Sequence, residues 1–465
     1  MSIVIFIAFL ALVFLNSWRA RSKKITFLKF KSLNWFLIAF SAGTTANTGF
    51  IITTAVAMGY GMGFSAIVFP LSFLLGDLVY WQFFAPKVHT YAAENSIRTI
   101  PEFITSKLSG KVSGFNTLIS VCIILSATLY TIAQWNAAGK LYNAFFNIDD
   151  AYCIILFSIL VIGYCLIGGF LSSVYADIVQ GSFMVLLATV TTLVCAWQIP
   201  DFSGFLSQSF QTFARSFVFL SENGIVFILG WAAASIGFSF SQPQILDKII
   251  AAKDEKNVKK ARYLYMFFVQ YTWIGMTFLG MLIKAVYPDL KELQAEKALA
   301  IFINLNSSPW LLGLVLAGVF STIASSAGSL NISIANYISS DILKDRWAIN
   351  SRLLLILVFM GTIIPAILLV HTTVFNLTIF AVSLGAVLAP CMLIKIFSFR
   401  HNKISLICCL LTSIFITVTF KILGYSANLL YDIPVGTFLG LFANSIAYKL
   451  SRKSKSPMSP PLKAV

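Results

Sequence analysis

Ser41-Ala42-Gly43-Thr44-Thr45-Ala46-Asn47-Thr48-Gly49 decides how this chain is read. The segment lies inside an apolar run, Trp35 to Met62, that is long enough to cross a bilayer. It is also dense in Gly, Thr and Asn, residues that favour leaving a helix. Unwound backbone at membrane depth frees carbonyls and amides that lipid cannot satisfy. Such a break is tolerated where those groups bind something, and discontinuous helices near the midplane are how many transporters hold ions and solutes. The segment therefore predicts a transport site at Thr44–Asn47.

The rest of the composition agrees. Of 465 residues, 58% are hydrophobic and only 11% charged, with a mean hydropathy of +0.87. A soluble protein carries about 25% charged residues, so the chain reads as an all-α polytopic membrane protein. The seven cysteines form no C-x-x-C pair and no metal-ligand spacing, and read as buried free thiols.

About thirteen spans are expected, near 2–17, 34–60, 64–86, 115–137, 151–168, 173–197, 224–247, 262–285, 309–338, 351–370, 374–396, 404–421 and 429–448. Sorting the connecting segments alternately gathers 27 of the 33 basic residues on one side. These include Arg19, Arg21, Lys23, Lys24, Lys29 and Lys31, the group Lys248, Lys253, Lys256, Lys259, Lys260 and Arg262, and the tail from Lys449 onward. The positive-inside rule makes that side cytoplasmic, with the amino terminus outside and the carboxy terminus inside. The net charge of +16 is thus a topology signal, and no nucleic-acid partner is expected. The first span precedes its positive cluster, which marks a retained helix and not a cleaved signal peptide. Residues 451–465 read as a disordered basic tail.

A second break is expected within Gly230–Pro243, where small residues end in a helix-breaking proline. The two weak points open two blocks of five spans, 34–197 and 224–396, separated by an external loop at 198–223. Segment 1–33 supplies the first span with its basic loop, and 397–450 the last two spans. Matched breaks in two halves point to an inverted-repeat transporter with its site at the repeat interface. The run Ala317–Ser329, in the ninth span, is rich in Ser and Thr, whose hydroxyls can coordinate a cation or bond back to their own helix. Asp77, in the third span, and Asp177, at the mouth of the sixth, are intramembrane carboxylates and candidates for an ion pathway or gate. His89, His371 and His401 form no pair with a carboxylate that suggests hydrolysis. No phosphate-binding Gly-rich loop with Lys occurs, so ATP-driven transport by this chain alone is not expected. Nor do clustered nucleophiles, bases or metal ligands suggest an enzyme or a cofactor.

Four motifs, in order, make the chain resemble the sodium:solute symporter family. They are Ser41–Gly49; Gly168-Gly169-Phe170-Leu171 with Asp177-Ile178-Val179-Gln180; Gln242-Pro243-Gln244-Ile245-Leu246; and Ser321-Thr322 with Ser340-Asp341. The resemblance covers roughly Ile3 to Leu450. It implies a LeuT-type core of two inverted five-helix repeats with extra helices. It also implies a sodium site between the second and ninth spans, with carbonyls from Thr44, Asn47 and Gly318 and hydroxyls from Ser321 and Thr322. Solute contacts would come from Thr45, Tyr130, Gln134, Asn136, Ser235 and Ser239. The proline-transporting branch has an Asp where this chain has Ala46, and aromatics where it has Ser235 and Ser239. These departures suggest a more polar pocket, suited to a hydroxyl- or amide-bearing solute.

The expected function is sodium-coupled uptake of a small organic solute by alternating access. The chain would act as a monomer in a bacterial plasma membrane, with sodium as coupling ion. Two other readings remain open at this level: proton coupling through Asp77 or Asp177, and a solute receptor that binds without transporting.

Overall fold

In the computed structural model the described residues are 1–22, 25–29, 31–108, 112–219, 224–289, 292–306, 308–343, 350–424 and 432–453. The expected basic residues Lys23 and Lys24, most of the 344–352 loop, and 454–465 of the expected disordered tail lie outside them. The described architecture is helical throughout. In chain order the helices are α1 (Ser2–Trp18), α2 (Trp35–Ala46), α3 (Val56–Met62), α4 (Val68–Val79), α5 (Ala85–Asn95), α6 (Ile100–Thr105) and α7 (Ser113–Phe146). Then come α8 (Asp150–Gly168), α9 (Phe170–Trp197), α10 (Phe202–Phe219), α11 (Gly224–Ser239), α12 (Pro243–Ile250), α13 (Glu255–Val286) and α14 (Ala298–Asn306). The series ends with α15 (Pro309–Tyr337), α16 (Ser351–Leu368), α17 (Val374–Ala386), α18 (Ala389–Ile396), α19 (Lys403–Ile422) and α20 (Asp432–Lys453).

Among the described residues nine helical stretches are long and apolar enough to cross a membrane, and α1 and α2 are shorter apolar helices. Their outer faces carry bands of large exposed side chains. On α16 these are Leu353, Leu357, Ile364 and Leu368; on α19, Leu411, Phe415 and Val418. Bands of this extent are costly in water and belong against lipid.

Both expected breaks are present. Helix α2 ends at Ala46, and Asn47 is extended (φ −80°, ψ 102°). A π-helical turn, Ile51–Ala55, then leads into α3. The second interruption is confined to residues 240–242, between α11 and α12. Pro243 sits in the first turn of α12, where its missing N–H costs nothing. The two halves exchange partners: α13, from the second block, packs along α2 and α3, while α4, from the first, packs along α11. At the centre, α15 and its terminal π turn have 89% of their most apolar window buried, against 33% for α19.

Local chemistry explains several junctions. Gly169 adopts φ +64° between α8 and α9, a conformation glycine takes without penalty. A Cβ on Gly168 would sit 2.2 Å from the Ala20 carbonyl, and one on Gly169 2.5 Å from that of Thr26. The Gly-Gly pair is what lets the segment after α1 run against this turn. Asn34, Asp149, Asp254, Thr373 and Asn402 each cap a helix by accepting an N–H.

Some expected boundaries shift. The third span begins with a tight turn at Gly63–Ile67, and its helical course extends past 86 to Asn95. The expected external loop 198–223 contains α10. The eleventh span is interrupted between α17 and α18. The seventh does not stop at 247: α12 runs to Ile250 and takes Lys248 inside the protein, 1% exposed, not into a solvated basic loop. The break before α12 lengthens that crossing, so one more turn stays buried.

Candidate functional site

The break after α2 frees carbonyls that a continuous helix would have used. Asn47 N–H still bonds the Gly43 carbonyl at 3.1 Å. Beyond it the ladder fails. Gly49 N–H donates instead to Gln134 Oε1 on α7 at 2.7 Å, and Phe50 N–H to its neighbour Thr48 Oγ1 at 3.3 Å.

The freed carbonyls face α15. Ser325 Oγ lies 3.1 Å from the Thr44 carbonyl. Ser326 Oγ lies 3.2 Å from that of Thr45, 3.1 Å from that of Asn47 and 3.1 Å from that of Thr322 on its own helix. All of these residues are buried. A hydroxyl has one hydrogen, so Ser326 can serve one of its three carbonyl neighbours by donation. The Thr322 carbonyl already takes the Ser326 N–H within α15, so the Thr45 and Asn47 carbonyls share one hydroxyl proton: oxygens outnumber the protons available to them.

The expected ligands divide accordingly. Thr44 and Asn47 stand at this cluster. Ser321 and Thr322 donate their hydroxyl protons within their own helix, Ser321 to the Ala317 carbonyl at 2.7 Å and Thr322 to that of Gly318 at 2.8 Å. An added Cβ on Gly318 would meet Leu187 of α9 at 2.5 Å, while its carbonyl, the expected ligand, accepts from Thr322. The hydroxyls that reach the break belong to Ser325 and Ser326, one turn on, while Thr322 contributes its carbonyl. The ninth span carries two adjacent hydroxyl pairs spaced by one helical turn, so both share a face. Only the axial position of α15 against α2 separates them.

On the same side lies an ion pair that the sequence did not disclose. Lys248 Nζ donates to Thr45 Oγ1, and to Ser329 Oγ at 3.2 Å. It stands 3.8 Å from Asp177 Oδ2. Ser41 Oγ donates to the same carboxylate oxygen at 2.5 Å, and Thr44 Oγ1 to the Asp177 carbonyl at 3.3 Å. Ser173 Oγ and Ser329 Oγ are 3.1 Å apart. Asp177, expected near an interface, is fully buried. Thr45, expected at the solute, belongs to this polar cluster. The signal for Lys248 was its place in the first turns after Pro243, which the positive-inside count absorbed.

On the other side of the break is a cavity. The cavity volume among its lining side chains is about 40 Å³, room for a few water molecules as it stands, so a solute needs it to widen. Tyr130 and Ser239, two of the expected solute contacts, line it, with Ala46, Thr48 and Phe50 from around the break. Ser235 donates toward Asp77 Oδ1 at 3.3 Å. Gln134 and Asn136 serve the scaffold: Gln134 holds Gly49, and Asn136 Nδ2 donates to the Leu369 carbonyl at 2.7 Å. Most of the wall is aromatic, including Phe69, Phe73, Trp231, Phe238, Tyr265 and Trp273. The expected polar pocket is therefore corrected to an aromatic one with a local polar end. The motif residue Asp341 is structural in its contacts, accepting from Thr99 at 3.1 Å and Asn116 at 3.0 Å.

Comparison with known proteins places this geometry. The family model for the "Sodium:solute symporter family" matches residues 27–413. The chain is 22% identical over 438 residues to the "Osmoregulated proline transporter OpuE" of Bacillus subtilis, covering 91% of this chain and 88% of that protein. It is 26% identical over 306 residues to the "Sodium/proline symporter" of Staphylococcus aureus, a match that spans 63% of this chain and 59% of the relative. A solved structure of a Na+-coupled sialic acid symporter superposes with a TM-score of 0.83 at 17% identity, covering 97% and 98% of the two chains. The tryptophan-lined cavity, the two broken helices and the oxygen cluster thus lie in a shared fold, and this chain belongs to the sodium:solute symporter family, as a membrane-embedded, sodium-coupled secondary transporter.

Proposed function

We propose that the chain couples sodium entry to uptake of a small organic solute, with sodium held at the break. The ligands in this reading are the carbonyls of Thr44, Thr45, Asn47 and Thr322 and the hydroxyls of Ser325 and Ser326. The observation that carries it is the surplus of oxygens over protons around Ser326. Oxygens bound at about 2.4 Å to one hard cation, at right angles, stand about 3.4 Å apart. The contacts here, 3.1 to 3.2 Å, need only a small expansion to accept such an ion. The donor set is neutral oxygen throughout, which suits a weakly bound monovalent cation that must also leave.

Sodium in this position ties α2 to α15 and fixes the break that forms one edge of the solute cavity. Binding of ion and solute is then reciprocal, with a coupling of about 1–3 kcal/mol. The two blocks, near 34–197 and 224–396, rock around the site. Hydrophobic windows supply thirteen crossings in this reading, and the distribution of basic residues sets the amino terminus outside and the carboxy terminus in the cytoplasm. In this reading the transporter works as a monomer in a bacterial plasma membrane. Lys248 and Asp177 form the neighbouring gate, their charges neutralised by each other while the site is closed.

The test is uptake into proteoliposomes with imposed sodium and proton gradients. Radiolabelled amino acids, quaternary amines, sugars and carboxylates are screened for stimulation by sodium at fixed pH. Stimulation by a proton gradient alone would replace sodium with proton coupling in this scheme.

A further inference from the structure

Three helices present stripes at i, i+4 and i+8 beside the cavity: Phe69, Phe73 and Asp77 on α4; Trp231, Ser235 and Ser239 on α11; Tyr265, Val269 and Trp273 on α13. All but Ser235 line it. Residues at this spacing share a helix face. The stripes align into two layers. In one, Asp77 accepts from Ser235 (3.3 Å) and Ser239 (3.2 Å) at Oδ1 and from Tyr265 (3.3 Å) at Oδ2. In the other, Phe69 stacks on Trp273 with ring centres 5.5 Å apart and planes 14° apart. Trp231 meets Phe69 edge-on at 4.8 Å, and Phe73 lies 5.2 Å from Trp273.

Asp77 is 8% exposed, and every hydrogen-bond donor named above is neutral. Among the described residues no basic side chain pairs with it, and no Lys, Arg or His lines the cavity. A carboxylate in such a setting is costly unless something positive joins it. The adjoining rings offer electron-rich faces, which attract an organic cation and offer an inorganic one few oxygen ligands. The helices therefore assemble a negative charge and an aromatic wall around one cavity, with no positive group among the described residues to cancel it.

We propose that the transported solute carries a positively charged nitrogen, an ammonium or quaternary ammonium, seated between Asp77 and the Phe69–Trp231–Trp273 rings. The inference rests on the transport reading above and names the substrate class for that cavity. It assigns Asp77 to solute recognition. The neutral donors around its carboxylate hold it in one orientation, aimed at the cavity.

The experiment compares probes that bear a cationic nitrogen, called the charged member of each pair, with isosteres that lack that nitrogen, on the purified full-length protein in sodium. Choline is set against 3,3-dimethylbutan-1-ol, and L-proline against cyclopentanecarboxylate, by thermal-shift titration and by radiolabelled uptake of the charged member of each pair. The expected result is a preference of about tenfold or more for the charged member of at least one pair. Asp77→Asn is expected to erase that preference and Asp77→Glu to retain part of it. Absence of a charged-member preference in both pairs overturns the assignment, and so does a preference that survives Asp77→Asn. The wild-type comparison stands even where an Asp77 variant does not fold. Trp273→Leu gives a second check, since it must weaken the charged member more than its nitrogen-free isostere. Uptake of a preferred probe that ignores sodium would sink the symport reading and leave this cavity assignment intact. Sodium-stimulated uptake without charge preference would do the reverse.

Discussion

The hydroxyl of Ser326 lies 3.1 Å from the carbonyl oxygen of Asn47, across a gap of 279 positions in the chain. Through this contact the middle of α15 closes on the end of α2. Replacing Ser325 and Ser326 together by Ala removes two oxygens from the cluster. The concentration of sodium needed for half-maximal uptake should then rise by about tenfold or more. Ser321→Ala, which removes a hydroxyl bonded only to its own helix in this structure, should shift it by less than about twofold. Sodium titrations of uptake, run side by side on the two variants, decide between the two turns of α15. Equal effects would remove the assignment.

Lys248 and Asp177 test a different property. Their ion pair is buried at both ends, with side chains 2% and 0% exposed. Lys248→Met leaves a carboxylate without its counter-charge, at a cost of about 3–5 kcal/mol. Lys248→Met combined with Asp177→Asn should recover most of that loss. A double-mutant cycle on unfolding in detergent measures the coupling. Additive losses would show that the two groups do not interact.

Gln134 is a scaffold residue in this structure. Its Oε1 accepts the Gly49 N–H at 2.7 Å. Gln134→Leu keeps the volume and strands a buried donor, which costs about 1–3 kcal/mol. The melting temperature should fall while the ratio of affinities for the cationic-nitrogen probes and their nitrogen-free isosteres stays unchanged. A changed ratio at constant stability would put Gln134 in the cavity wall.

Two glycines set how closely α3 and α13 approach. A Cβ on Gly59 would lie 1.9 Å from the Thr277 carbonyl, and one on Gly280 2.0 Å from that of Val56. Both collisions are with backbone, so no rotamer change relieves them. Gly59→Ala and Gly280→Ala should each destabilise the protein by about 1–3 kcal/mol or more, read as lost monodisperse protein in detergent and a lower melting temperature. Gly61→Ala, on the same helix with open space around it, is the control and should fold normally.

The interruption after Ala46, a second one somewhere within Gly230–Pro243, the hydrophobic runs and the membrane class could all be read from the chain alone. Each has a local cause. A Gly-Thr-Asn cluster and a proline weaken a helix wherever it lies, and long apolar runs require backbone bonds satisfied within the segment. The residues of the oxygen cluster at the break were legible only in part. Thr44 and Asn47 sit at the break and inherit its freed carbonyls. Their partners on α15 do not follow from sequence, because Ser321-Thr322 and Ser325-Ser326 repeat one turn apart on one helix face. Helical periodicity fixes a face but not how far one helix slides along another. Packing of α15 against α9 at Gly318 and against α2 at the break fixes that position. The same limit hid Lys248, which reads as one of a basic cluster until α12 folds inward and sets it beside Asp177. It hid the character of the cavity as well. Asp77 is an isolated acid in its own span, and only the alignment of α4 with α11 and α13 surrounds it with hydroxyls and sets tryptophan rings one layer away.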